Sequence, residues 1–345
     1  MDTIEMADGT PPIPRLILGG WQTRAGDGET ALAHLLGCAE AGMRAFETAD
    51  AYPGHEALLG RFRAAWAARG GDPEALRFHT RYSPDLSDGR PSAKQVTAAI
   101  DRALEELGVD RLDLLQLQWW RFDVPGWSQT LEQMAKLAAE GKIDRIGVTN
   151  FGPDTLAPLL EVGLPIASNQ VQYSLIDTRP EKSLAALCQR HSVVLFAYGP
   201  LAGGFLTERW LGRPDPGPRG EGDDFSREYR FMIEAFGGWA LHQGLLGVLD
   251  EIARRRGFSI VQVALRWLLD RPGLSAALVG ASSSSRIGDL LRVFDLILDH
   301  AEQAAIEAAT ARRRGPEGEV SELERDPDGP FHRLIQQSLA TKAAT

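Results

Sequence analysis

"MRAFETADAYPGHEALLGRFRAAWAAR", residues 43–69, contains one complete unit of the fold. A short apolar run ends at Glu47. Pro53 and Gly54 break the chain, and apolar residues then recur at helical spacing from Glu56 to Arg69. A buried strand, a loop and an amphipathic helix follow one another within a few residues. The same grammar recurs outward in both directions. "RLILGGW" (15–21) precedes a helix-like 29–43, "ALRFHT" (75–80) precedes 92–108, and "RLDLLQLQ" (111–118) precedes 127–142. Further on, "IDRIGVT" (143–149) precedes 153–163, "IASNQVQ" (166–172) precedes 180–191, "VVLFAYG" (193–199) precedes 245–257, and "SAALVGA" (275–281) precedes 285–294. Strands alternating with helices predict a parallel sheet. Eight such units favour an α/β fold of the closed (β/α)8 TIM-barrel type, in a single domain, over an open doubly wound sheet. An additional helix is expected at 259–270, between the seventh helix and the eighth strand.

Three segments fall outside that pattern. Residues 1–11 read as an N-terminal extension, 12–310 as the barrel, and 311–345 as a C-terminal tail with a short helix expected at 331–340. The stretch 211–240, rich in Gly, Pro and charge, reads as one long loop; loops of that length are commonly functional, and a lid is the expectation.

Composition narrows the function. Of the 345 residues 43% are hydrophobic and 24% charged, as in ordinary globular proteins. A net charge of −10 argues against nucleic acid or an anionic membrane as partner, because both need clustered Lys and Arg. The runs Arg254–Arg256 and Arg312–Arg314 sit at helix ends, where cations suit the dipole. Two cysteines, Cys38 and Cys188, offer no CxxC motif. With no apolar signal segment at the N-terminus and no run of about 18 apolar residues, a cytoplasmic location is expected.

In a barrel, reactive groups gather where strands end. Those positions carry Gly19, Gly20, Trp21, Glu47, Tyr52, His79, Arg81, Gln118, Trp119, Trp120, Thr149, Asn150, Asn169, Gln170, Gln172, Tyr198, Gly280, the serines 282–285 and Arg286. The set is rich in amides and hydroxyls and has no metal-ligand spacing, nucleophile elbow, Walker loop or GxGxxG fingerprint. "GASSSSRI" between a strand and a helix suits a phosphate, although serine is also a good helix cap. Trp21, Trp119, Trp120 and Trp239 are candidates to wall an aromatic substrate pocket.

"FETADAYPGHEALLG", "VDRLDLLQLQ", "GKIDRIGVTNF", "SNQVQYS", "YGPLAGGFL" and "ALVGASSSSRI", in this order, resemble the aldo-keto reductase family over roughly residues 12–310. "LQWWRFD", "SNQVQYSLIDTRP" and "FGGWALHQGLL" place the resemblance in a branch with a non-standard catalytic tetrad. The resemblance implies a (β/α)8 barrel that binds NADPH (NADP) in an extended pose and reduces a carbonyl of a small, aromatic or otherwise activated substrate. It makes Tyr52 the proton donor. The family's aspartate, lysine and histidine positions fall here on Glu47, Arg81 and Gln118. It puts Thr149, Asn150 and Gln170 on the nicotinamide carboxamide, Tyr198 under its ring and "PLAGGFL" with Leu201 along the pyrophosphate. Arg286 falls on the adenosine 2′-phosphate, and Trp21, Gly280, Ser282 and Ser283 join the cofactor-binding set. The family's asparagine near the adenine falls on Leu290.

Arginine at the lysine position remains a cation but cannot give up its proton, and Gln118 can donate an N–H but cannot relay a proton as imidazole does. His79, on the same strand face as Arg81, is the compensating candidate. Weak oxidation of simple alcohols is the expectation. Two other functions compete with an NADP-dependent oxidoreductase: a non-redox lyase or isomerase using Tyr52, Glu47 and Arg81, and a nucleotide-sensing binding protein. A monomer or small homo-oligomer is expected.

Overall fold

The structure, a computed structural model, describes residues 2–4, 12–22, 28–217, 224–281 and 283–343. Eight parallel strands close into a barrel: β3 (Leu16–Gly19), β4 (Ala45–Glu47), β5 (Arg77–Tyr82), β6 (Leu114–Gln118), β7 (Ile146–Thr149), β8 (Ile166–Gln172), β9 (Val194–Tyr198) and β10 (Leu274–Val279), with β10 beside β3. The (β/α)8 expectation is met. A short antiparallel pair, β1 (Thr3–Ile4) with β2 (Ile13–Pro14), precedes the barrel and was not anticipated.

Helices α1 (Gly28–Glu40), α2 (His55–Ala68), α3 (Ala93–Leu107), α4 (Trp127–Ala139), α5 (Pro153–Glu161) and α6 (Leu184–Arg190) lie between successive strands. α3 starts on a capping box, Ser92 with Gln95, and stops at Gly108, whose φ of 64° suits glycine. Period-two alternation sorts the strand residues. Phe46 and Phe78 meet Phe62 of α2 in the layer outside the barrel, whereas His79 turns inward and stacks on Phe196 at 5.8 Å and 5°.

The chain divides into two compact units. The first comprises 1–170, 187–196 and 275–291; the second comprises 171–186, 197–274 and 292–345. In the second, the stretch read as the loop 211–240 contains helix α7 (Asp224–Phe236), and α8 (Trp239–Arg256) starts earlier than expected. Tyr229, Met232, Ile233 and Phe236 are buried at i, i+3, i+4 and i+7, a helical stripe that the surrounding Gly, Pro and charge concealed. α9 (Ile260–Leu269) is the expected additional helix, followed by α10 (Ile287–Leu291) of the first unit and α11 (His300–Thr310) of the second.

The tail forms α12 (Glu322–Arg325) and α13 (Pro330–Ala343), longer than the short helix anticipated. It is fastened by Arg179, which is 2% exposed and pairs with Asp177 at 2.8 Å and with Glu324 at 2.7 Å. No helix among the described residues is long and apolar enough to cross a membrane.

Candidate active site

Strand register sets the site. Gln118 at the end of β6 lies beside Thr149 of β7, and Thr149 beside Gln170 of β8. Beyond Glu47 the chain keeps pairing with β5: the Asp50 amide donates to the Arg81 carbonyl at 3.0 Å, and the Thr48 amide to that of His79 at 2.8 Å. That extension carries Tyr52 to the rim, where a turn closes as the His55 amide donates to the Tyr52 carbonyl at 3.0 Å.

The guanidinium of Arg81 gathers the residues expected to form the tetrad. Its Nε lies 2.8 Å from Glu47 Oε1, its Nη1 donates to Gln118 Oε1 at 2.9 Å, and its Nη2 donates to the Tyr52 hydroxyl oxygen. Three edges of one planar cation hold the three other tetrad positions, which a compact ammonium has no fixed fork to do. Glu47 uses its second oxygen to accept the Gly20 amide at 3.1 Å. Gly20 has to be glycine, because a Cβ there would stand 2.4 Å from the His55 ring and 2.6 Å from the Glu47 carbonyl. The edge of Trp21 meets the Tyr52 ring at 5.6 Å.

Burial decides the protonation states. Removal from water pushes the Glu47 carboxyl up, while the Arg81 charge and the Gly20 N–H pull it back. Burial also raises Tyr52 above the ordinary phenol range; Arg81 opposes that shift and Glu47 adds to it. The phenol therefore keeps its proton at neutral pH.

His79, the compensating candidate, is fully buried. It lies inside the barrel against Phe196, and burial, with help from Arg145 and Arg77, holds it down at about 3. His55 is likewise held at about 4 by burial while its Nδ1 lies 2.8 Å from the Thr48 hydroxyl.

On the neighbouring strand ends, the Thr149 hydroxyl is buried without a hydrogen-bond partner among the described residues. Asn150 adopts a left-handed backbone (φ 58°), fixed by its amide donating to the Gln170 carbonyl at 2.9 Å. Gln170 Nε2 donates to Gln116 at 2.9 Å. After β10 and Gly280, Ser283 caps the turn 284–286 by accepting the Ser285 amide at 3.3 Å, and Arg286 is exposed. Ser282 lies outside the described residues.

The aromatic wall divides. Trp119 is buried, its indole N–H donating to the carbonyls of Arg121 and Val124 in the loop after β6, while Trp120 is 37% exposed. In the second unit Trp239 is half-buried, packs with Phe205, Trp210 and His242 and donates to the Arg213 carbonyl. Tyr198 ends β9 and is half-buried, and Leu201 opens the turn that follows. Tyr229 of α7 lies against that turn so closely that a Cβ on Gly203 would stand 2.5 Å from its ring.

Sequence reasoning missed Ser83 and Asp50. Ser83 Oγ donates to Gln118 Oε1 at 3.2 Å, and its amide donates to Asp50 at 2.9 Å. The one signal was spacing, and only for Ser83, which lies two residues past Arg81 and so on the same face of an extended chain; Asp50 sits in the turn 49–52 and carried no such signal.

The family model for the aldo/keto reductase family matches residues 15–311. The chain belongs to that family. It is 29% identical over 255 residues to flagellar radial spoke protein 5 of Chlamydomonas reinhardtii, a match that covers 64% of this chain and only 48% of that protein. It is 26% identical over 307 residues to the chloroplastic pyridoxal reductase of Arabidopsis thaliana, covering 85% and 79%. A solved aldo/keto reductase from Klebsiella pneumoniae, in complex with NADP and acetate, superposes with a TM-score of 0.68 at 24% identity over 92% of this chain and 97% of that one, a likeness of fold. In this member of the family, then, the tetrad positions Glu47, Tyr52, Arg81 and Gln118 are brought together by one ion pair and two hydrogen bonds on Arg81.

Proposed function

We propose that this protein is an NADPH-dependent carbonyl reductase in which Tyr52 donates the proton. The observation that carries the reading is the engagement of all three guanidinium nitrogens of Arg81 with Glu47, Gln118 and Tyr52. Arg81 can only donate, so the Tyr52 oxygen accepts from it and keeps its own O–H for a substrate oxygen. Glu47 lies 2.8 Å from the Nε of that cation, whose charge pulls its carboxyl back down against the burial that pushes it up.

The residues fit a nicotinamide. The orphaned Thr149 hydroxyl needs a partner, and a carboxamide can both donate to it and accept from it; Asn150 and Gln170 stand beside it. When bound, the reduced nicotinamide supplies the hydride. Arg286, with Ser283 and Gly280, is proposed to meet the 2′-phosphate, and Tyr198 and Leu201 keep the roles that the resemblance gives them. The substrate is proposed to be a small activated or aromatic carbonyl met by Trp21 and Trp120. Support comes from the pyridoxal reductase relative and from the NADP held by the Klebsiella enzyme.

The test is a fluorescence titration with NADPH and NADH, followed by single-turnover mixing of bound NADPH with aldehydes, quinones and α-dicarbonyls. Tighter binding of NADPH and hydride transfer to one member of the panel is the expected result. Binding without transfer would favour a sensor or a non-redox enzyme, and no binding would overturn the reading.

A further inference from the structure

Gln118 has an oxygen and a nitrogen at its tip, and its role depends on which of them faces outward. The partners decide. Arg81 has no lone pair to offer, so the atom that meets its Nη1 at 2.9 Å must be the amide oxygen. The atom 3.2 Å from Ser83 Oγ is that same oxygen, so the serine hydroxyl spends its one proton there. Two donors therefore converge on Oε1 from Arg81 and from the segment after β5. The Nε2 amide, with its two protons, is turned away from both. Among the described residues it makes no hydrogen bond, and Gln118, though buried, is the last residue of β6, at the strand-end rim.

The same guanidinium fixes the neighbour. Nη1 and Nη2 are the two ends of one planar fork, so Gln118 Oε1 and the Tyr52 oxygen stand side by side on it. Both outward donors, Tyr52 O–H and Gln118 Nε2–H, then point away from Arg81. Ser83 is itself held, its amide donating to Asp50 at 2.9 Å, and Asp50 lies two residues before Tyr52. The loops after β4 and β5 are thereby stapled around the tetrad.

We propose that Ser83 is a positioning residue for the reduction: with Arg81 it locks the Gln118 amide so that Nε2–H and Tyr52 O–H converge on one carbonyl oxygen. This inference rests on the carbonyl-reductase reading. The pair of donors is a small oxyanion hole, in which Tyr52 gives its proton to the oxygen as hydride adds to the carbon, and Gln118 stabilises the charge without changing protonation state. Gln118 thus replaces a relay with a fixed dipole. Without Ser83 the amide keeps one anchor, Nη1, and is free to rock about it.

The experiment measures single-turnover hydride transfer from bound NADPH to 4-nitrobenzaldehyde in wild type, Ser83→Ala, Ser83→Thr, Gln118→Leu and the Ser83→Ala/Gln118→Leu double variant. Ser83→Ala is expected to slow transfer about five- to tenfold at saturating aldehyde while NADPH affinity stays unchanged. Threonine is expected to restore the rate, because it keeps the hydroxyl. On the Gln118→Leu background the serine change is expected to do nothing further, since its only route to the substrate is gone. A wild-type rate in Ser83→Ala, or losses that multiply in the double variant, would overturn the proposal.

The second measurement uses glutamine-selective 15N labelling, taking as the Gln118 signal the side-chain NH2 pair missing in Gln118→Leu. A resolved pair in wild type that broadens or averages in Ser83→Ala supports the lock, and an unchanged pair refutes it. Because this needs no turnover, absence of hydride transfer in wild type would count against the reductase reading alone, while the NMR comparison still judges Ser83.

Discussion

An ammonium at position 81 could lose its proton near neutral pH in a buried site; a guanidinium cannot. That difference sets the pH behaviour. Arg81 stays charged, burial keeps Tyr52 protonated, and His55 and His79 are held neutral at about 4 and about 3, so neither ring titrates between pH 6 and 9, whereas burial lifts the Glu56 carboxyl, in the same cavity as Asp50 and Arg81, to about 7. The single-turnover rate of reduction is expected to show no histidine-dependent step across that range, and any bend near pH 7 is expected to vanish in Glu56→Gln. Oxidation of simple alcohols, which needs tyrosinate as base, is expected to be weak. Arg81→Lys removes the fork: one ammonium cannot reach Glu47, Gln118 and Tyr52 with the same geometry. A loss of about 10- to 100-fold in single-turnover rate is expected, the equivalent of one charge-assisted hydrogen bond, together with a new bend in the pH–rate profile. An unchanged rate would mean that the fork geometry is incidental.

At the scale of elements, the serine turn after β10 is set by its neighbour helix. A Cβ on Gly37 of α1 would stand 2.6 Å from Ser284 Oγ, so α1 can seat that turn only with glycine there. The turn carries Arg286, the proposed partner of the 2′-phosphate. Arg286→Ala is expected to weaken NADPH binding about 10- to 100-fold and leave NADH almost unchanged, read by fluorescence titration. Equal losses for both nucleotides would remove Arg286 from that role. Strands and their ends were legible because period-two alternation and a chain break after each run are local signals; that is how Glu47, Arg81, Gln118 and Thr149 were found. α7 was not legible, because four buried residues, Tyr229, Met232, Ile233 and Phe236, are a weak stripe inside a segment dominated by Gly, Pro and charge. Ser83 was hidden for a different reason. A single serine past a strand end carries no pattern, and only the direction of its hydroxyl gives it a part.

For the whole molecule, the buried histidines predict acid sensitivity. His55, His79 and His242 are held at about 4, 3 and 4, below the ordinary value of 6.5, with burial the leading cause in each. Above pH 6.5 both folded and unfolded chains carry these rings neutral. Below it the unfolded chain takes up protons that the folded chain refuses, so stability falls as pH drops from 6.5 toward 4. Each ring contributes at most about 1.4 kcal/mol per pH unit in that window. These rings are therefore expected to drive a drop in melting temperature between pH 7 and pH 5, opposed by Glu56 and Asp113, whose carboxyls burial lifts to about 7 and about 6. His79→Leu, which keeps an apolar group against Phe196, is expected to make that drop shallower; an equally steep drop would clear His79 of the effect.

The role of the tetrad rests on one comparison: single-turnover oxidation of bound NADPH by an activated aldehyde in wild type and in Tyr52→Phe. If Tyr52 is the proton donor held by Arg81, wild type transfers hydride and Tyr52→Phe loses roughly 100-fold or more in rate with NADPH affinity unchanged, in line with the loss of a general acid. Equal rates in the two proteins would contradict that role, because the group that Arg81 gathers would then take no part in the chemistry.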